Sequence, residues 1–255
     1  DVVIVDNLSN SDQAVLDGIT AIVGICPDFV QGDCCDIAAI DALFARYHDI
    51  VGVIHFAASK AVNESVEQPL KYYRNNLMSL VNVLEAMKKY DVHNIVFSSS
   101  CTVYGQPTDE HLPVDETAPI QQALSPYGNT KQINEDIIRD EAHANHALQA
   151  TILRYFNPIG AHPSALIGEL PNGVPQNLLP FVTQTAAGLR QELKVFGNDY
   201  STPDGSCIRD YIYVVDLAKA HVKAVERMLN GHATEQVEVF NLGTGKGLSV
   251  LEILN

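Results

Sequence analysis

The chain has 255 residues, 46% hydrophobic and 18% charged, enough apolar material for a sizeable core and for one or two domains. Its formal net charge of −15 opposes nucleic acid or an anionic membrane as the main partner, yet leaves room for a small anionic ligand held by backbone N–H groups and an arginine. No apolar run approaches the roughly 20 residues that span a bilayer, and no signal peptide is visible.

Residues 2–6 read as a strand that ends in an acid, Asp6. Helical periodicity follows at 36–47, a strand at 51–57, and a helix at 69–90. Residues 94–100, Asn-Ile-Val-Phe-Ser-Ser-Ser, form an apolar run ending in three hydroxyls, the pattern of a buried parallel strand with its polar end in a crevice. A helix at 125–145 and a strand at 151–156 continue the alternation. Strands alternating with amphipathic helices imply βαβ units and a parallel sheet, and right-handed crossovers favour a doubly wound, Rossmann-type α/β fold. From 157 to 180 the chain is rich in Pro, Gly and Asn, and is expected to be a functional loop region. A helix at 177–190, strands at 193–196 and 208–214, a helix at 215–229 and a strand at 237–242 complete the reading. The expected division is a sheet domain over 1–157 and a smaller, interwoven ligand-binding lobe over 158–255.

Five cysteines (Cys26, Cys34, Cys35, Cys101, Cys207) without C-x-x-C spacing point to free thiols and a cytoplasmic setting. No metal site is expected. His143 and His146 lack a carboxylate partner, and His55 inside a strand reads as a satisfied core residue. The glycines of 243–247 fit no phosphate-loop spacing and read as a tight turn before a helix capped by Ser249. Asp109, Glu110, Asp115 and Glu116 read as a solvated acidic face.

Tyr127-Gly-Asn-Thr-Lys131 carries the strongest chemical signal. A phenol titrates near ~10 and an ammonium near ~10.4, so neither alone is a base at pH 7. Residues four apart share one helix face, and an ammonium beside a phenol favours phenolate. Ser125 suits the N-cap of that helix and Pro126 its first turn. Ser100, at the carboxyl end of the serine-rich strand, stands where ligands meet open α/β sheets and where it can hydrogen-bond Tyr127. Tyr104 is a rival base without a lysine four residues on.

Taken together, Asp6-Asn7-Leu8-Ser9-Asn10-Ser11, Gly32-Asp33, residues 56–62 (FAASKAV), residues 72–76 (YYRNN), residues 98–105 (SSSCTVYG), Tyr127-x-x-x-Lys131, residues 155–163 (YFNPIGAHP), residues 197–200 (GNDY) and residues 208–212 (IRDYI) resemble the UDP-galactose (UDP-glucose) 4-epimerase family of extended short-chain dehydrogenases/reductases. The likeness covers essentially the whole chain. It implies NAD as cofactor, contacted by Asp6, Asn7, Asn10, Ser11, Asp33, Cys34, Phe56, Ala57, Lys60, Asn75, Ser98, Tyr127, Lys131 and Tyr155. It implies Ser100, Tyr127 and Lys131 as the catalytic set. It also implies UDP-galactose or UDP-glucose as ligand, held by Lys60, Ser100, Tyr127, Phe156, Asn157, Asn177, Leu178, Val195, Phe196 and Arg209. Family members commonly pair as homodimers through helices of the sheet domain, here 69–90 and 125–145.

Inverting a carbon that bears a hydroxyl has no easy acid–base route, so oxidation to a ketone and reduction from the other face is the chemistry such a set serves. A nucleotide-sugar 4,6-dehydratase would need an Asp-Glu pair after the catalytic hydroxyl, where this chain has Cys101-Thr102. A decarboxylase, an epimerase of another sugar and a non-catalytic NAD-sensing regulator remain as alternatives. Arg209 reads either as a phosphate ligand or as an ion pair with Asp210. The resemblance further implies that a glycine-rich strand–turn–helix comes before residue 1, and that 252–255 open a fresh helix. For this polypeptide alone, poor NAD retention, marginal folding and little turnover are expected.

Overall fold

The computed structural model describes every residue except Asn172. Its elements in chain order begin with β1 (Val3–Asp6), α1 (Ala14–Val23), β2 (Asp28–Gln31), α2 (Ile37–Arg46) and β3 (Val53–His55). Next come α3 (Val62–Glu67), α4 (Pro69–Lys89), β4 (Asn94–Ser100), α5 (Pro126–Ala144), β5 (Gln149–Tyr155) and β6 (Asn157–Ile159). The remainder is α6 (Leu178–Ala186), β7 (Ile208–Tyr213), α7 (Val214–Leu229), β8 (Val237–Leu242), β9 (Gly247–Ser249) and α8 (Val250–Leu254). The chain divides into two compact units, one of residues 1–7, 28–155 and 219–242, the other of 8–27, 156–218 and 243–255.

The first unit holds the parallel strands. β1 pairs with β2, and β3, β4, β5 and β8 lie side by side in that order. Every pairing among them is parallel, which requires crossover connections of the βαβ kind. β4 and β5 are buried almost end to end, so their continuous apolar runs are what a strand covered on both faces needs. Ile95, Phe97, Ala150 and Ile152 pack with Leu80, Val83, Leu84 and Met87 of α4 and Ile138 and Ala142 of α5 in one core. Val96 and Leu153 meet Ala224 and Met228 in another. The doubly wound α/β architecture expected from the alternation is present, with its parallel strands in two hydrogen-bonded groups.

The second unit contains β6 and β7 in parallel and β9 antiparallel to β7, with α1, α6 and α8. Here sequence reading was less complete. No strand forms at 193–196, where Val195 and Phe196 are exposed and no neighbouring strand accepts their backbone. The helix expected over 177–190 stops at Ala186, just before Gly188 in the left-handed region. The short strands β2, β6 and β9 and the helices α1 and α3 carry too few residues or too mixed a pattern to be legible. Ser249 does cap α8, in a reciprocal box with Glu252.

α5 matters most. Ser125 accepts a hydrogen bond from Gly128 N and Pro126 occupies the first turn, as the sequence suggests. Its buried stripe contains Ile138 and Ala142 but also Lys131 and Glu135, so the helical period that hides the apolar residues carries two charges inward. Glu135 is met by Arg154 of β5 through two hydrogen bonds, Nε to Oε1 at 2.9 Å and Nη2 to Oε2 at 2.6 Å, and by Ser99 Oγ and Arg139 Nη2. Burial pushes the Glu135 carboxyl up, but the Arg154 hydrogen bonds and charge outweigh it and hold it below the ordinary carboxylate value. That stabilisation is therefore complete above the ordinary carboxylate range and is lost as pH falls through the depressed folded value. Arg154→Met takes the bidentate partner from a buried carboxylate and should cost about 3–5 kcal/mol of unfolding free energy, measurable by urea denaturation at pH 7. The deficit should shrink as acid protonates Glu135. A loss below about 1 kcal/mol, the ordinary worth of an exposed pair, would remove the pair from its structural role.

Candidate active site

β4 delivers Ser98, Ser99 and Ser100 at its carboxyl end, and the three face different tasks because side chains alternate along a strand. Ser99 turns to Glu135. Ser98 Oγ is hydrogen-bonded to Tyr155 Oη of the adjacent strand, and its carbonyl accepts the Lys131 ammonium at 2.5 Å. Ser100 caps the short 3-10 turn Cys101–Tyr104, and its Oγ accepts from Thr102 N at 3.2 Å and Thr102 Oγ1 at 3.0 Å.

Tyr127 and Lys131 come together at this end of the sheet, the Lys131 Nζ lying 5.9 Å from the Tyr127 ring centroid. The electrostatics differ from the sequence expectation. Burial pushes the Tyr127 phenol well above its ordinary value, with Tyr155 adding to the rise and the Ser100 hydrogen bond pulling it down. Lys131 is 2% exposed, and burial lowers it to about 8 against the supporting charge of Glu135 one turn on. The group that eases the phenol toward ionisation is thus Ser100. Lys131 instead spends its nearest contact on the Ser98 carbonyl and lies 4.9 Å over the Phe97 ring. Below about pH 8 it nevertheless places a positive charge beside the phenol.

Tyr104 is excluded as a rival base. It is fully buried, donating to Asn241 Oδ1 at 2.7 Å and accepting from Arg154 Nη1 at 3.0 Å, and burial raises its phenol. His55 is buried as expected, but among the described residues neither ring nitrogen finds a hydrogen-bond partner. Burial, then the Lys131 charge, hold it neutral with a pKa lowered to about 4. His143 and His146 are exposed. Glu116 is more than a solvated acid, for its Oε1 accepts Asn241 N at 2.6 Å.

The proposed cofactor residues of the first unit fall into two groups. At the ends of β1 and β2, Asn7 Nδ2 donates to Asp33 Oδ2 at 3.2 Å, and the Cys35 backbone N–H holds the Asp33 carboxyl below its ordinary value. Asp6 precedes this pair, accepting Gly32 N through its carbonyl. Cys34 packs against the core with its thiol pushed up to about 11 by burial. Farther along, Ala57 O accepts Ser79 Oγ, Phe56 lies 4.7 Å from the His221 ring, and Lys60 is exposed. Asn75 Nδ2 donates to Asn76 Oδ1. Asn76, which sequence reading passed over, is fully buried and joins Ser59 N, Ser59 O and Thr130 Oγ1, so it fastens the loop after β3 to α4 and α5. Its signal was only a polar residue on the apolar stripe of a helix. A carboxylate–amide pair at one set of strand ends and an ammonium with three hydroxyls at another form a donor set suited to the ribose hydroxyls and bases of a dinucleotide.

The second unit holds Asn10, Ser11, Phe156, Asn157, Asn177, Leu178, Val195, Phe196 and Arg209. Asn157 Nδ2 donates to Asp210 O at 3.0 Å, and Asn177, at the head of α6, donates to Glu169. Phe156 stands where a side chain on Gly243 would collide with its ring, at 2.8 Å. Val195 lines an open cavity with Gly197, Asn198, Asp204, Ser206 and Leu251, and Phe196 is 83% exposed. Among the described residues Arg209 forms no ion pair with Asp210. Its Nη1 donates to the Ile208 carbonyl, while the Asp210 carboxylate accepts Thr244 N, Thr244 Oγ1 and Gly245 N. The glycine-rich turn is therefore filled by the chain's own carboxylate, which settles why it is no phosphate loop.

A parallel α/β sheet with a Ser–Tyr–Lys set at its strand ends defines an enzyme of the short-chain dehydrogenase/reductase type. More particularly, the chain belongs to the NAD dependent epimerase/dehydratase family, whose family model matches residues 1–243. It is 51% identical over 254 residues to the UDP-glucose 4-epimerase of Bacillus subtilis, covering 100% of this chain and 73% of that protein. It is 50% identical over 257 residues to a UDP-glucose 4-epimerase of Schizosaccharomyces pombe, covering 71% of it. The crystal structure of the Bifidobacterium longum UDP-glucose 4-epimerase, solved with NAD+ and UDP, superposes with a TM-score of 0.93 at 47% identity, over 99% of this chain and 73% of that one. NAD is the cofactor of this family.

Two outcomes test the geometry. The Lys131 side chain, followed by carbon-detected NMR, should titrate near pH 8, and Glu135→Gln should move the midpoint lower by removing the opposing charge. An unmoved midpoint would break the link between them. Asp210→Asn should quicken amide exchange at Thr244 and Gly245 and leave the sheet core protected; unchanged exchange would mean that the carboxylate does not hold the turn.

Proposed function

We propose that the chain interconverts UDP-galactose and UDP-glucose by oxidation at C4, rotation of the 4-keto sugar and reduction from the opposite face. The observation that carries this reading is the convergence of Ser100, Tyr127 and Lys131 at the end of β4 in a chain similar along its whole length to UDP-glucose 4-epimerases. NAD, when bound, supplies the reversible redox step at the carbon. Tyr127 accepts the proton of the 4-hydroxyl and later returns it. Ser100 steadies the phenol oxygen by a hydrogen bond, and the Lys131 charge favours phenolate.

Asp6, Asn7, Asn10, Ser11, Asp33 and Cys34 are assigned to the adenosine half of NAD. Phe56, Ala57, Lys60, Asn75, Ser98 and Tyr155, with Tyr127 and Lys131, are assigned to the rest of it. Phe156, Asn157, Asn177, Leu178, Val195, Phe196 and Arg209 are assigned to the nucleotide sugar, with residues 158–255 as its main lobe. Arg209 suits the diphosphate because a planar guanidinium binds two oxygens at once and Asp210 is engaged elsewhere. The exposed apolar side chains of Leu70 and Met78 on α4 support a homodimer through α4 and α5, to be read by light scattering. Among the described residues no helix is long and apolar enough to cross a membrane.

Tyr127→Phe should slow epimerisation at least ~100-fold, the scale of a lost general base. Turnover near wild type in that variant would sink the mechanism. The product formed from UDP-galactose and NAD by the full-length protein separates the alternatives: UDP-glucose supports the epimerase, a 4-keto-6-deoxy sugar supports a dehydratase, and no turnover supports a binding protein.

A further inference from the structure

A buried ammonium is costly unless its N–H groups find electron density to point at. Lys131 is 2% exposed, and among the described residues its one hydrogen bond goes to the Ser98 carbonyl, at 2.5 Å. Glu135, one turn on, has its carboxylate engaged by Arg154, Arg139 and Ser99. Two aromatic rings also flank the ammonium. Phe97 is the nearer: Nζ lies over its ring, 4.9 Å from the centroid, against 5.9 Å for Tyr127. Both lie within the roughly 6 Å at which a cation and a ring face attract.

Phe97 is fixed where it stands. It is fully buried on β4, in register with His55 of β3 and with Ile152 of β5. The His55 ring lies 5.8 Å away, tilted by 32°, and Leu80 and Ile138 share the same core. With solvent excluded from ring and ammonium alike, the attraction is in the range where it is strongest.

We propose that Phe97 is a positioning residue: its ring face and the Ser98 carbonyl together cradle the Lys131 ammonium, holding it charged and beside Tyr127. Consecutive residues of one strand thus serve the same cation, one through its side chain and the other through its backbone. The negative ring face favours ammonium over amine, so weakening it should lower the pH at which Lys131 gives up its proton. The inference deepens the epimerase reading, because it rests on Tyr127 as the base that this charge supports.

Fluorination tests the ring face while nearly keeping the ring's shape. Mono-, di- and trifluorinated phenylalanine in place of Phe97 drain the face stepwise, in the full-length protein loaded with NAD. The groups that can charge around the ammonium are Tyr127 and Glu135 of α5 and His55 of β3, with Tyr72 of α4 and Tyr155 of β5 toward the phenol. All of them are the same across the series. The Lys131 midpoint, read by carbon-detected NMR, should fall with each added fluorine, by about one pH unit at the trifluorinated ring, a tenfold change in its protonation equilibrium. The pH above which kcat declines should move down by the same steps, with KM unchanged. A midpoint unmoved by fluorination would overturn the proposal. So would a shift equal for one fluorine and for three, which would report packing alone. Should the wild-type protein show no epimerase turnover, the functional reading fails while the titration of Lys131 still decides the role of Phe97.

Discussion

The Glu135–Arg154 pair is the constraint on which the catalytic end of this molecule rests. A carboxylate and a guanidinium, both nearly solvent-free, join α5 to β5 with two hydrogen bonds. Loss of either group takes from the other its bidentate partner, leaving Glu135, among the described residues, only Arg139 and Ser99. One turn earlier on the same helix, Lys131 donates to the Ser98 carbonyl at the end of β4. The same carboxylate takes Ser99, and the same guanidinium takes Tyr104, which in turn holds Asn241 of β8. β4, β5, β8, α5 and the 3-10 turn thereby share one polar network in an otherwise apolar core.

The electrostatic cost of this arrangement explains the tuning of the site. Burial disfavours charge on Lys131 and on Tyr127 alike, moving one down and the other up. Glu135 opposes the first shift and Ser100 the second. The sheet end is thus a place where small hydrogen-bonding differences decide protonation, the condition a reversible proton acceptor needs. His55, buried and unpartnered nearby, stays neutral for the same reason and adds no competing charge.

The second unit works by a different device. Asp210 fills the nest of N–H groups at Thr244 and Gly245, which fixes the glycine-rich turn to β7 and leaves the neighbouring Arg209 without a carboxylate partner on that side. A motif that looks like a ligand loop is closed by its own chain. That exchange could not be seen from spacing, because Asp210 and Thr244 lie 34 residues apart.

Local signals alone determined much of this protein. The alternation of strands and helices, the caps at Ser125 and Ser249, the buried runs of β4 and β5 and the four-residue spacing of Tyr127 and Lys131 are each written within a dozen residues, where backbone period and side-chain type suffice. So are the motifs that mark the family. The tertiary structure decided everything that depends on partners distant in sequence: that Lys131 bonds the Ser98 carbonyl and that Asn76 ties a loop to two helices. It also decided that residues 193–196 are no strand and that His55 finds no hydrogen-bond partner among the described residues. A strand needs a neighbour, a buried polar atom needs an acceptor, and a pKa needs a dielectric. None of these is a property of a short stretch of sequence; each exists only once the chain has folded.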